Sequence, residues 1–175
     1  IFEKFPDLFC GAIRDGLRQN EAIFDFPFLK LARTVAESKE INDITGPAII
    51  IAGSGMCTGG RIKHHLVHTI SQPENTILFV GYQARGTLGR EILERPSAVR
   101  IHGQTHQVRA RIEKINGFSA HADRADLRHW VDSFFRKPER IFVIHGEDAA
   151  RAGLTAALQG LAAVTLPEYR DVFQI

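Results

Sequence analysis

Residues 108–123 read VRARIEKINGFSAHAD. Val108, Ala110 and Ile112 alternate with Arg109, Arg111 and Glu113, which is the period of a strand with one face buried. GFSAHAD closes that strand. Asp123 then suits the N-cap of a helix that carries Leu127, Trp130, Val131, Phe134 and Phe135 on one stripe. Between strand and helix, His121 sits among Ser119, Ala120 and Ala122. A histidine packed in a core has bulky apolar neighbours. One in a turn of small residues is free to be aimed at a ligand.

The same strand–turn–helix order repeats on both sides. Phe28, Leu31, Ala32, Val35 and Ala36 recur at helical steps, and Gly46-Pro47 breaks the pattern. AIIIA (48–52) reads as a strand buried on both faces, followed by the loop GSGMCTGG and a helix over 61–70. TILFV (76–80) is a second buried strand, and 88–93 is a short helix that Pro96 stops. IFVI (141–144) is a further buried strand, with HGED directly after it. A helix carrying Leu154, Ala157, Leu158 and Leu161 follows, then a short strand near 164–166. Alternation of this kind predicts an α/β fold with a mostly parallel sheet and right-handed crossovers. Ligands of such sheets bind beyond the carboxyl ends of strands, where the glycine loop, His121 and His145 all fall.

The totals narrow the class. The chain has 175 residues, of which 44% are hydrophobic and 24% charged, the profile of a globular domain able to bury a core. Its apolar runs fall short of the roughly 18 residues of a membrane span, and no signal-peptide pattern is visible, so the cytoplasm is expected and a membrane is not. Cys10 and Cys57 stand at no metal-ligand spacing and are expected as free thiols. A net charge of +2 permits a polyanionic substrate without demanding one. The first residue is Ile1, so the sequence is expected to be a piece of a longer chain.

The glycine loop offers backbone N–H groups and a helix start to a phosphate. Gly53, Gly55 and Gly59 also approach a dinucleotide spacing, but the next strand ends VGYQARG without the acid that holds a ribose hydroxyl. A plain turn is the remaining reading. His64 and His68 lie four apart on a helix without the glutamate of H-E-x-x-H, so a solvated face is expected there. His129 falls mid-helix, and His102 and His106 flank the polar turn IHGQTH. His145 stands at the rim of a strand with Gly146 after it, which suits either a metal ligand, with Glu147 orienting it from behind, or a structural cap. His121 suits a general acid, a metal ligand or an outward-pointing turn residue. Ser119, His121 and Asp123 do not make a catalytic triad, because such groups converge from separate loops.

Taken in order, IAGSGMCTGGRIKHHL, FVGYQARGTLGREIL, IEKINGFSAHAD and IFVIHGE resemble the carboxyl-terminal portion of β-CASP proteins, the nucleic-acid-processing branch of the metallo-β-lactamase fold. The resemblance covers residues 48–147 most clearly. It implies a partial, Rossmann-like β-CASP lobe over 1–95 and a remnant of the metallo-β-lactamase αββα fold over 96–175, the two meeting near residues 95–107. It implies a ribonuclease, endo- or exonucleolytic, acting on single-stranded RNA through a two-zinc site. His121 becomes the histidine beside the scissile phosphate and His145 a zinc ligand. Ser119, Ser54, Gly55 and Arg61 become candidates for phosphate contact.

The family's His-x-His-x-Asp-His motif is absent: no two histidines here are separated by one residue. Nor can its first acidic β-CASP motif be located. Both are expected upstream, in the missing amino-terminal part, which becomes the expected partner of this chain; a homodimer is a further open expectation. One histidine cannot build a dinuclear site, so this piece alone is expected to hold zinc weakly or not at all and to cleave nothing. The alternatives are a non-catalytic β-CASP-like module that binds RNA and a Rossmann-type nucleotide-binding domain.

Overall fold

The computed structural model describes residues 4–19, 26–119 and 121–174; Ala120, one of the small residues beside His121, lies outside them. The chain divides into two compact units, Ile1–Asn116 and Gly117–Ile175. The packing boundary therefore falls after Asn116, while residues 95–107 are interior to the first unit.

The first unit opens with α1 (Gly11–Arg18) and α2 (Val35–Glu40). Thr34 caps α2 through a capping box, its hydroxyl accepting from Glu37 N while the Glu37 carboxylate accepts from Thr34 N. The helix expected to include Phe28 is therefore shorter: Phe28 has φ 76°, a left-handed conformation that no helix continues through.

Next come α3 (Ile62–Thr69), β1 (Thr76–Val80), α4 (Leu88–Leu93), β2 (Ala98–Ile101), β3 (Gln104–Gln107) and β4 (Arg111–Ile115). β1 and β4 pair in parallel, Ile77 opposite Ile112, and β2 and β3 form an antiparallel hairpin. Leu66, Ile70, Phe79, Ile92, Val99, Ile101 and Ile112 close the core together with Cys57.

Two strand expectations change. β1 is buried on one face only: Phe79 is enclosed, whereas Leu78 and Val80 are about half exposed. AIIIA at 48–52 forms no strand, and Ile49 and Ile51 are each 92% exposed. A β-branched run has strand propensity, but a strand needs a ladder partner, and this segment pairs with none among the described residues.

The second unit holds α5 (Arg124–Asp132), β5 (Arg140–Phe142), α6 (Asp148–Leu158) and β6 (Ala163–Thr165), with β5 and β6 parallel. Its core is small: Val131, Val143 and Leu158, flanked by Ile141, Leu154, Leu161 and Val164. The expected buried strand 141–144 shortens, since Ile144 points to solvent. Of the α5 stripe only Val131 is buried; Trp130 and Phe135 are exposed. Two of the three strand pairs are parallel, so the α/β, mostly parallel expectation holds. No helix is long and apolar enough to cross a membrane among the described residues.

Candidate active site

His121 is placed by the turn between β4 and α5. Asp123 starts that helix: its Oδ1 accepts from Ala125 N at 2.7 Å and Asp126 N at 2.9 Å, and the Asp126 carboxylate accepts from Asp123 N at 3.1 Å. Oδ1 of Asp123 is thus engaged by the helix end. Behind it, His121 N donates to Ser119 Oγ at 3.2 Å, and the same oxygen lies 3.3 Å from His121 Nδ1. Ser119 therefore grips the imidazole on its Nδ1 side, which leaves Nε2 as the nitrogen able to exchange a proton with a ligand. The hydroxyl can donate to a bare Nδ1 or accept from Nδ1–H, so it engages the neutral ring and the imidazolium alike. His121 is exposed.

His145 stands beyond β5, exposed, with Gly146 at φ 128° after it and α6 starting at Asp148. Glu147 is the N-cap residue of that helix and makes no side-chain cap bond. Among the described residues no three of His, Cys, Asp and Glu gather closely enough to hold a metal ion. His145 is chemically suited as one metal donor.

The glycine loop belongs to the first unit and is anchored from below. Cys57 N donates to Ser54 O, Gly89 N to Met56 O, and Gln83 Nε2 to Gly55 O, each at 3.0 Å. Cys57 is 3% exposed and its thiol ionisation is pushed up by burial, so its role is packing. Ser54 Oγ pairs with Thr58 Oγ1 at 3.2 Å, and Gly55 is exposed at the crest of the turn. Arg61 reaches away from the loop: its two terminal nitrogens donate to the carbonyls of Ala32 and Arg33, each at 2.7 Å.

Several supporting residues carried no distinct signal in the sequence. Gln83, 2% exposed, is the buried amide that ties VGYQARG to GSGM. Gly89 makes room for it, since a Cβ there would meet Gln83 Oε1 at 2.0 Å. His65 is the buried member of the HH pair, held between Ser38 Oγ at 3.1 Å and Asn42 Oδ1 at 3.2 Å. The missed hairpin β2–β3 turns on His102 and Gly103, both at positive φ, and HG is an uncommon form of the two-residue turn that Asn-Gly usually makes.

Residues 1–92 match the Beta-Casp domain, and residues 105–165 match the Zn-dependent metallo-hydrolase RNA specificity domain. The chain belongs to the β-CASP family. It carries the carboxyl-terminal portion of a metallo-β-lactamase-fold RNA-processing protein of that family, as the four motifs imply. It is 43% identical to Ribonuclease TTHA0252 of Thermus thermophilus over 148 residues, covering 85% of this chain and 33% of that protein. It is 42% identical to the Transcription termination factor FttA of Pyrococcus abyssi over 130 residues, covering 69% of this chain and 20% of that protein. The FttA of Methanocaldococcus jannaschii is 37% identical over 134 residues, covering 71% and 21%. The chain thus spans about a third of the ribonuclease and about a fifth of the termination factors it matches.

Proposed function

We propose that this chain is the carboxyl-terminal part of a zinc-dependent ribonuclease that hydrolyses RNA phosphodiester bonds, with a β-CASP segment over 1–95 and a metallo-β-lactamase segment over 96–175. The Ser119–His121 pair carries the reading. Ser119 orients the ring, and the His121 imidazolium gives its Nε2 proton to the leaving oxygen as the P–O bond breaks, returning to the neutral imidazole. Ser119, Ser54 and Gly55 contact phosphate oxygens. Arg61, whose guanidinium holds the Ala32 and Arg33 carbonyls, is a further candidate for phosphate contact through its charge. His145 supplies one donor to a two-zinc site, with Glu147 behind it, and the remaining donors come from the rest of the longer protein. When bound, zinc would ease the ionisation of water to hydroxide near neutral pH and neutralise charge on the phosphate.

One imidazole does not hold a zinc ion firmly, so residues 1–175 alone bind zinc weakly and leave RNA uncut. The names of the ribonuclease relative and of the RNA specificity domain support RNA as substrate. The same reading puts the protein in the cytoplasm, a reducing compartment that suits free thiols at Cys10 and Cys57. The test uses the full-length protein, its metal content and labelled single-stranded RNA. His145→Ala loses one zinc along with cleavage. His121→Ala keeps both ions and cleaves about 10²–10⁴-fold more slowly. Unchanged cleavage in both variants overturns the proposal. Unchanged RNA affinity with no cleavage in the parent protein favours the non-catalytic RNA-binding module instead.

A further inference from the structure

In the first unit, away from both sequence motifs, the β2–β3 turn places an imidazole on an imidazole. His102 at φ 50° and Gly103 at φ 81° form the two-residue loop of the hairpin. That geometry presents the His102 ring to α3, where it stacks on His64 with centroids 4.5 Å apart and planes 28° from parallel. Both histidines are exposed. Arg100 braces the turn, its Nε donating to Gly103 O at 3.1 Å. The charged groups that act on His102 are His64 and Lys63 from α3 and His106 from its own hairpin. All of them are cationic when charged, and no carboxylate is among them. His106 Nε2 is enclosed and has no hydrogen-bond partner.

We propose that this hairpin tip and the turn of α3 it stacks on form a proton-gated contact for the phosphodiester backbone of single-stranded RNA. The proposal rests on the RNA reading above and adds a second contact to it. Two imidazoles in van der Waals contact resist carrying two charges at once, with Lys63 and His106 adding to the repulsion. Burial and these neighbours hold His102 below the ordinary histidine range. Phosphate oxygens laid over the stack offset that repulsion. Binding then draws protons onto His64 and His102, and by linkage the affinity must rise as pH falls. Lys63 on α3 and Arg100 on the hairpin keep cationic side chains beside the tip, so the contact weakens near pH 7.5 without vanishing.

The experiment measures binding of a fluorescent 2′-O-methyl single-stranded RNA, which resists cleavage, to the full-length protein at pH 7.5 and 5.5. Affinity is expected to rise about tenfold at the lower pH, one proton's worth of linkage being at most about tenfold per pH unit. His64→Gln and His102→Gln each remove most of that rise. His129→Gln, an exposed histidine on α5, leaves the rise intact. Ring titrations by NMR give a readout independent of any loss of fold: adding the RNA moves the His64 and His102 titrations upward. A full rise retained in both Gln variants, or ring titrations indifferent to RNA, overturns the proposal while leaving the ribonuclease reading untouched. An absence of RNA binding at either pH sinks that reading itself.

Discussion

Ser119 Oγ lies 3.2 Å from the backbone nitrogen of His121 and 3.3 Å from its Nδ1, so one hydroxyl fixes both the turn and the face of the ring. Ser119 is thereby a positioning residue for His121 as well as a candidate phosphate contact. Ser119→Ala in the full-length protein is expected to lower kcat by about tenfold, a fraction of what general acid catalysis supplies. Metal content and melting temperature should stay close to wild type, because the hydroxyl acts on the orientation of the exposed His121 ring. Ser119→Thr keeps the hydroxyl and should restore kcat. A loss of kcat that Ser119→Thr does not rescue would leave Ser119 a structural role only.

Asp123 offers a separate test of how the motif works. Its carboxylate accepts from Ala125 N and Asp126 N, and Asn caps a helix about as well as Asp does. Asp123→Asn should therefore leave the melting temperature and the cleavage rate close to wild type. Asp123→Ala should cost about 1 kcal/mol of stability, visible as a lower denaturation midpoint. In a Ser–His–Asp relay the Asn substitution would cost about 10⁴ in turnover, so kinetics on this one variant decide between cap and relay.

The glycine loop separates support from contact. At Gly89 a Cβ would fall 2.0 Å from Gln83 Oε1 and 3.0 Å from Met56 O. Gly89→Ala should destabilise the protein by about 1–3 kcal/mol, as overpacking does, measured by urea denaturation. At Gly55 a Cβ meets nothing within 4 Å, so Gly55→Ala should shift stability by no more than about 0.5 kcal/mol, as surface changes do. It should still weaken RNA binding, because the added methyl group covers the backbone offered to phosphate. Unaltered RNA affinity in that variant would remove Gly55 from the contact.

His65 sets a pH dependence of stability. Asn42 Oδ1 accepts from Nδ1–H, and Nε2 accepts from the Ser38 hydroxyl, which describes a neutral ring. Burial, then the charges of His64, His68 and Arg61, holds its ionisation below the ordinary histidine value. The unfolded chain takes up this proton near pH 6.5 and the folded chain only at lower pH. Stability from this group is thus complete above about pH 6.5 and is lost as pH falls through the folded value. His102 shifts in the same direction. Thermal midpoints should drop between pH 7.5 and 5.5, less so in His65→Gln and least in the His65→Gln, His102→Gln double variant. Parallel pH curves for all of them would contradict this assignment.

Where local pattern and local structure coincide, the sequence was legible. The α4 bounds, the Asp123 cap, the β1 span and the one-face alternation of Ala110 and Ile112 all follow from neighbours within a turn or two of chain. The failures share a cause. AIIIA has the composition of a central strand, yet Ile49 and Ile51 are exposed because a ladder depends on a partner far along the chain. Trp130 and Phe135 fit a helical stripe, but the Val131–Val143–Leu158 core covers only part of it.

By itself the sequence determined the α/β order and the family, since these lie in short contiguous motifs whose residue types and spacing need no distant partner. Tertiary structure alone decided that Ser119 holds His121, that Arg61 turns to the Ala32 and Arg33 carbonyls, that His65 rather than His64 is buried, and that His64 meets His102. Each of these depends on where a side chain ends up once its element has rotated into the core. That rotation is set by the packing of many residues at once, and a linear pattern does not record it.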